Sequence, residues 1–370
     1  LFSLDDDHED LFGLGKSAPL SRRAWCLQES ILSRRVLCYG KKQIYWGCGQ
    51  GFRAADEAPD GEMFPKNDFG PPVLKEVHSV PEGTTLPLRG EGLHSLLRRY
   101  HWLVQDFSRR AISFDTDKLP AFSGIAQRLH PLIGGDYLAG IWSNDFHDGL
   151  LWSSVVGGQS ARHVKPYRVP SWCWAATNDG VWTWRGSSSA GPTNSDGKND
   201  LQLIEHHMEP KDVQNPYGEV VHGYVVVRGQ IARLRRDHGA EPSKEDHIGK
   251  VYFDEREMAC EKTDTSLFSS KVTQGAAGRG FVARASPPLY LSSRTKTPQR
   301  LGLPESREYV VLLVKMVKSR SGTGSISRCL VLEEAPGGAG SVYERVGFLE
   351  TSEATNLSIF DWETRTIKLV

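Results

Sequence analysis

The sequence predicts an α+β fold, in which a short helix with a β-hairpin and a small helical layer precede a β-rich C-terminal region. Apolar residues recur at helical spacing near the N-terminus and again between residues 93 and 129. After residue 164 they alternate instead, in short segments separated by turn signals. A chain of 370 residues is long enough to bury a large core under these elements.

The first helix and hairpin occupy residues 19–48, the most strongly patterned stretch of the chain. Two β-rich runs, residues 36–39 and 43–48, flank a turn that contains Gly40, which predicts a hairpin. One face of the preceding helix is apolar and is formed by Ala24, Leu27, Ile31 and Leu32. Residues 49–92 are rich in glycine, proline and charge, and they are predicted to form a long loop.

Three further helices are predicted in the middle of the chain. The second begins at Leu93 and carries a long apolar stripe. The third has Pro120 in its first turn, offers Asp115 and Asp117 as N-cap residues and ends at Gly134-Gly135. A fourth is predicted from about Asp136 toward Trp152. The stripe of the second helix consists of Leu93, Leu96, Leu97, Tyr100, Val104, Phe107 and Ala111.

The remaining chain is predicted to be mainly β. Residues 170–175 and 181–184 alternate around an Asn-Asp-Gly turn, which predicts a tryptophan-rich hairpin. Six later strands are predicted at residues 220–234, 250–254, 309–317, 329–333, 343–349 and 366–370.

Charge and cysteine usage exclude several classes of protein. The 45 basic and 45 acidic residues balance, which argues against a nucleic-acid partner. No apolar run approaches the ~20 residues that span a bilayer, so we expect no membrane span and a cytoplasmic protein. The six cysteines show no zinc-ligand or disulfide spacing, and adjacent His206 and His207 would point to opposite sides of a strand. No metal site is therefore predicted.

The sequence contains no complete catalytic signature, and the glycine-rich residues 275–280 are best interpreted as a turn. One acidic residue is nevertheless a candidate. Trp25 and Glu29 are four residues apart, so that the indole could partly desolvate the carboxylate on one helix face. Such a group can serve as a general base or orient a ribose hydroxyl. The alternative is a structural glutamate paired with Arg22 or Arg23.

Tryptophan is unusually frequent, with ten residues in the chain. Trp172, Trp174, Trp182 and Trp184 could form a stacking platform for a sugar or a base. Alternatively, each strand of the predicted hairpin presents its two tryptophans to the core. We favour the core, and the platform would require Trp172 or Trp174 to be exposed.

Several sequence blocks form a recognisable set. Residues 19–37 have the pattern P-L-x-x-R-A-W-x-x-Q-E-x-x-L-S-x-R-V-L and are followed by Tyr39-Gly40 and Trp46-x-Cys48. Further blocks are Y-x-x-L-V-x-x-F-S at 100–108, D-K-L-P-A-x-S-G-I-A at 117–126, Y-L-A-G-I-W at 137–142, P-S-W-x-W-A at 170–175 and T-I-K-L-V at 366–370. The first block resembles the last conserved block of the fungal heterokaryon-incompatibility (HET) domain, and the later blocks resemble the tail region that often follows that domain.

This resemblance implies a domain organisation. Residues 1–50 would be the C-terminal remnant of a TIR-like HET domain, and residues 51–92 a loop or linker. Residues 93–160 would be the helical layer and 161–370 the β-rich region, which could form one body with that layer. The earlier blocks of the family are missing, and the chain begins with Leu1. We therefore expect it to be a piece of a longer protein.

The resemblance also implies a function in fungal non-self recognition and programmed cell death. Some TIR domains hydrolyse NAD with a glutamate in a Trp-x-x-x-Glu arrangement, which Trp25 and Glu29 match. The preferred hypothesis is nevertheless a non-enzymatic protein without a cofactor, whose partner is another protein. The alternatives are an NAD-hydrolysing cell-death effector in full-length form and, more weakly, a carbohydrate- or nucleotide-binding module.

Overall fold

The computed structural model has a mixed α+β fold with a β-rich C-terminal sheet. It describes residues 18–42, 44–48, 51–55, 85–154, 167–184, 201–233, 247–254, 289–292, 309–318, 325–351 and 361–370. The predicted turn at 275–280 and residues 49–50 and 56–84 of the predicted loop lie outside these ranges.

The N-terminal helix and hairpin form as predicted. After a 3₁₀ turn at Leu20–Arg22, α1 spans Ala24–Leu32, and β1 (Arg35–Tyr39) pairs antiparallel with β2 (Ile44–Cys48). The loop predicted over 49–92 is wrong in its first part, because Gly51–Ala54 forms β3 and pairs with β2. The run was short and glycine-rich, so its pairing depends on the neighbouring strand rather than on its own pattern.

Two long helices form the helical layer. α2 spans Gly90–Ser108 and α3 spans Pro120–Ile133, ending at Gly134 with a positive φ of 68°. The predicted aspartate N-cap of α3 is wrong, because residues Asp115–Lys118 form a 3₁₀ turn and Leu119 occupies the cap position without a side-chain hydrogen bond.

The fourth predicted helix is mostly absent. Residues Tyr137–Leu138 (β4) and Ile141–Trp142 (β5) form a tight hairpin, followed by a 3₁₀ turn at Ser143–Asp145. Only Phe146–Leu150 is helical (α4). Gly140 adopts φ 107°, a left-handed conformation that ends any helix and favours glycine.

The tryptophan-rich hairpin is also corrected. Cys173 Sγ accepts a hydrogen bond from Ala175 N (3.2 Å) and caps a 3₁₀ turn at Trp174–Ala176. The second run does form a strand, β7 (Val181–Thr183), but it pairs with β6 (Trp152–Ser154). Residues 170–175 are all buried, so their alternating pattern belongs to a buried compact turn rather than to a pleated strand.

The C-terminal region is one eight-stranded sheet that contains all six predicted strands. Its order is β11-β10-β14-β13-β12-β9-β15, with β8 paired to β9. A parallel pairing of β14 with β15, through Val342 and Lys368, closes five strands into a ring. The strands are β8 (Gln202–Pro210), β9 (Val220–Arg233), β10 (His247–Phe253), β11 (Leu289–Ser292), β12 (Tyr309–Lys318), β13 (Ser325–Glu334), β14 (Val342–Thr351) and β15 (Glu363–Leu369).

One continuous cluster of buried side chains runs from Ala24 in α1 through the helices to Leu369 in β15. Arg345 on β14 is completely buried beside this cluster. Its guanidinium binds Asp254 (Nε to Oδ2, 2.9 Å), donates to the carbonyls of Leu150 (2.7 Å) and Trp152, and lies 3.5 Å from the ring centre of Trp152. A single side chain thus joins the sheet to the end of the helical layer.

Within the described residues, no helix combines the length and apolar character needed to cross a membrane. Cys26, Cys38, Cys48, Cys173 and Cys329 are free thiols.

Candidate functional site

The candidate site lies on α1, where the sequence placed Trp25 and Glu29. Ala24 and Leu27 bury the inner face of this helix against the core. The main chain fixes its start: Ala24 N donates to Ala111 O (2.9 Å), and Ala111 N donates to Arg22 O (2.6 Å). These main-chain hydrogen bonds alone hold the start of α1 against the segment that follows α2.

Gln28 fastens α1 to α3. Its Oε1 accepts a hydrogen bond from the backbone N–H of Gly124 at 2.7 Å, one turn into α3. A Cβ on Gly124 would lie 2.8 Å from that oxygen and 3.0 Å from Leu32 Cδ1, so the close approach of the two helices requires glycine. Both residues belong to the motifs that resemble the HET family, but their contact is not predictable from the sequence pattern.

Trp25 is bonded to Asp117 rather than directed at Glu29. Its indole Nε1 donates to Asp117 Oδ2 at 3.1 Å, and 37% of the residue remains exposed. The aspartate that the sequence predicted as an N-cap is thus a hydrogen-bond acceptor for α1. Nothing in the spacing of the two residues, 92 positions apart, signals this contact.

Glu29 itself is exposed on the outer side of α1. Its carbonyl accepts hydrogen bonds from Ser33 N (3.2 Å) and Ser33 Oγ (2.6 Å), which end the helix. Among the described residues, no ion pair joins its carboxylate to Arg22 or Arg23, so the structure does not show the predicted structural pairing. Its carboxylate faces the Cys26 thiol, whose pKa is raised chiefly by burial and further by this negative charge.

A second polar group, which the sequence pattern does not indicate, lies inside the helical layer. His101 Nε2 and Asp145 Oδ2 are 2.6 Å apart and both residues are buried. They line a small cavity together with Tyr100, Trp142 and Thr183, which has room for about one water molecule. The cavity is too small for a substrate, so this histidine–aspartate pair positions α2 against the turn before α4.

Two basic residues, Lys118 and Arg168, are buried close to the 3₁₀ turn at Trp174–Ala176. Lys118 donates to the carbonyl of Thr177, and burial together with the charge of Arg168 lowers the pKa of Lys118 to about 7. Arg168 donates through Nη1 to Asp115 O (2.9 Å) and Asn178 Oδ1 (2.7 Å). These contacts fix the residues that precede β7.

The tryptophans of the predicted platform belong to the core or its edge. Trp172 and Trp174 are 0% and 2% exposed, and the Trp174 indole donates to Gly140 O at 2.9 Å. Trp184 stacks on Phe348 with ring centres 4.8 Å apart, and Trp182 lies 6.0 Å from Arg109. The exposed tryptophan that a carbohydrate- or nucleotide-binding module requires is not found at Trp172 or Trp174.

His206 and His207 both lie on β8, and each contacts a different residue. His206 Nε2 lies 3.4 Å from Asp136 Oδ2, and the His207 ring is 5.6 Å from that of Tyr224. In the part of the chain that the structure describes, no cluster of three or more histidine, cysteine, aspartate or glutamate side chains is arranged to hold a metal ion.

Comparison with known proteins finds no matching protein-family model, no matching curated protein and no matching solved structure.

Proposed function

We propose that this chain is a HET-type incompatibility protein that acts in fungal non-self recognition and programmed cell death by binding another protein rather than by catalysis. In this proposal, residues 1–50 derive from a TIR-like HET domain, and the helical layer with the large sheet forms the body against which α1 is held.

The observation that carries the proposal is the contact between the two parts of the sequence that resemble the family. Trp25 and Gln28 belong to the block similar to the HET domain, whereas Asp117 and Gly124 belong to the block similar to the tail. The two hydrogen bonds between these pairs, 3.1 and 2.7 Å long, join the blocks side by side. Because each block supplies hydrogen-bond partners for the other, these contacts give a structural reason for both blocks to occur in one chain.

Two further observations support binding rather than catalysis. The indole N–H of Trp25 donates to Asp117, so its nitrogen is directed toward the 3₁₀ turn that precedes α3. Glu29 is exposed to solvent on a helix surface, where water screens its charge. A general acid or base with a tuned pKa is normally enclosed beside its substrate.

A cell-death assay tests the proposal. The chain is expressed in fungal recipient strains of different incompatibility genotype, and we expect growth arrest in at least one of them. Gly124→Val, which drives α1 away from α3, should abolish the arrest, whereas Glu29→Gln should retain it. Gly92→Val is the matched control, because a Cβ there meets no atom within 4 Å. Unimpaired growth of every recipient would overturn the proposal.

An NAD-cleavage assay addresses the enzymatic alternative. We expect the purified chain to leave NAD intact at every protein concentration. Release of nicotinamide that is lost in Glu29→Gln would instead establish the NAD-hydrolysing effector, with Glu29 as the acid and NAD as its substrate. An Asp212→Asn variant, changed in the β8–β9 turn remote in sequence from α1, is the control for protein quality.

A further inference from the structure

The small sheet of β1, β2 and β3 exposes one face that carries four large apolar side chains. The register pairs Leu37 with Trp46 and Tyr39 with Ile44, so all four side chains lie on the same face. They are 47%, 44%, 71% and 40% exposed, respectively. Contiguous large apolar groups on a surface are typical of an interaction site rather than of a solvated sheet face.

The opposite face of the same sheet is turned toward the protein. Tyr45, between Ile44 and Trp46, is 1% exposed, and Gly47 is also buried. Since the side chains of a strand alternate between the two faces, the register is fixed by Tyr45 and cannot slip by one residue to cover Trp46. The exposed apolar face is therefore a stable feature of the fold.

The surroundings of this face are strongly basic. Residues 33–55 contain no aspartate or glutamate, but they contain five basic residues: Arg34, Arg35, Lys41, Lys42 and Arg53. Arg53 pairs with Trp46 and Arg35 with Cys48, so both arginines lie on the apolar face itself, at opposite edges. Both are exposed. A second copy of this face would bring like charges together, which disfavours self-association.

The dimensions of the face match one helix. Two inter-strand spacings give a width of about 10 Å, and five residues give a length of about 17 Å. An α-helix is about 10 Å across, and about 12 residues cover that length. Leu37 and Ile44 are aliphatic and offer no stacking surface to a base, so the face suits a protein better than a nucleic acid.

We propose that the exposed face of the β1–β2–β3 sheet binds an acidic amphipathic helix of a partner protein. Leucine-type side chains of that helix cover Leu37, Trp46, Tyr39 and Ile44, and its carboxylates pair with Arg35 and Arg53. This inference specifies the chemistry of the protein partner in the proposed function. It rests on the proposed function only in taking that partner to be a protein.

A peptide-binding experiment tests it. The probe is an amphipathic helix of about 18 residues with a leucine stripe and a glutamate face, titrated into the whole chain by calorimetry. We expect saturable binding that weakens as salt is added. Trp46→Ser and the double variant Arg35→Glu/Arg53→Glu should each weaken binding on the order of tenfold or more. Tyr39→Ser provides a second apolar variant, should Trp46→Ser fail to fold.

The controls change equally exposed residues on another surface. Ile204→Ser removes a side chain that is 55% exposed on β8, and Arg228→Glu reverses an exposed charge on β9. Both should bind the peptide within about twofold of the unchanged chain, since neither touches the proposed interface.

Several outcomes would overturn the inference. These are no binding up to about 1 mM peptide, the limit of a useful weak interaction, equal binding of a peptide with lysines in place of glutamates, or binding unaffected by Trp46→Ser. Tighter binding of an oligothymidine through the same residues would show a nucleic-acid surface instead, and dimerisation lost in Trp46→Ser would show a second copy. Growth arrest that persists without peptide binding removes this inference alone.

Discussion

The two sheets of this protein contain similar strands but differ in how far their apolar side chains are buried. In the small sheet, Leu37, Ile44 and Trp46 lie in the open, whereas the large sheet buries Leu330 and Phe348 completely. Strand composition does not distinguish them, because both contain alternating β-branched and aromatic residues. The difference is that the helical layer covers the large sheet, and no described element covers the outer face of the small one.

The large sheet is therefore part of the buried core, whereas the outer face of the small sheet is exposed to solvent. In the large sheet even a charge is buried, and Arg345 is compensated by Asp254 and by backbone carbonyls. In the small sheet the arginines stay at the surface beside exposed apolar groups. Substitutions in the first region should therefore change stability, and those in the second should change binding.

The largest effect is expected at Arg345. Replacing it with methionine removes the guanidinium that is paired with the buried carboxylate of Asp254, which should lower the free energy of unfolding by about 3 to 5 kcal/mol. Urea denaturation measures this loss. Arg228→Met, at an exposed position of the same sheet, should change stability by less than about 0.5 kcal/mol. Equal effects at the two sites would contradict the buried role of Arg345.

Lys118 should produce a pH dependence at the edge of the core. Its pKa falls from 10.5 to about 7 on folding, mainly through burial. Between these values the unfolded chain binds more protons than the folded one, so the free energy of unfolding increases with pH, by at most roughly 1.4 kcal/mol per pH unit.

The measurement compares wild type with Lys118→Met by urea denaturation at several pH values from 7 to 10. In the variant, the free energy of unfolding should no longer increase with pH. Titration of tyrosine and cysteine residues cancels in the comparison, because both proteins contain the same ones. A parallel pH dependence in the two proteins would show that Lys118 stays charged in the folded state.

A smaller effect is expected where α1 meets α3. Gln28→Ala removes the acceptor for Gly124 N–H and should cost about 1 to 2 kcal/mol. Glu29→Ala, one residue further along the same helix, removes an exposed carboxylate and should stay within about 0.5 kcal/mol. Thermal denaturation of both variants tests the assignment, which fails if Glu29→Ala is the more destabilising.

The smallest effect is expected on the open face, and an identical substitution in each sheet sharpens the comparison. Ile44→Thr, at a 40% exposed position of β2, should change stability by less than about 0.5 kcal/mol. Ile231→Thr, at a 2% exposed position of β9, should cost about 2 to 3 kcal/mol, because it buries a hydroxyl and leaves a void. Urea midpoints compare them, and similar losses would mean that the small sheet is covered.

Much of the secondary structure could be predicted from the sequence. Helices α1, α2 and α3, the first hairpin and six strands of the large sheet follow from apolar periodicity, which depends on local spacing alone. The errors have local causes that periodicity does not detect. Gly140 at φ 107° converts a helical pattern into the β4–β5 hairpin, and the thiol of Cys173 caps a 3₁₀ turn in a strand-like pattern.

The candidate site was predicted less completely. The sequence located Trp25 and Glu29 on one helix, which α1 confirms, but the assignment of Glu29 as a catalytic acid stays a prediction. The partners of the site, Asp117 and Gly124, are more than 90 residues away. The spacing of residues along one element contains no information about contacts with another.

The sequence by itself determined most of the helices and strands, and which side chains of each share a face, because the 3.6-residue and two-residue periods are properties of the local backbone. Only the tertiary structure decided which of those faces is covered. It buried Trp172 and Trp174, turned Trp25 toward Asp117 and left Trp46 exposed, because burial depends on what packs against each face rather than on the face itself.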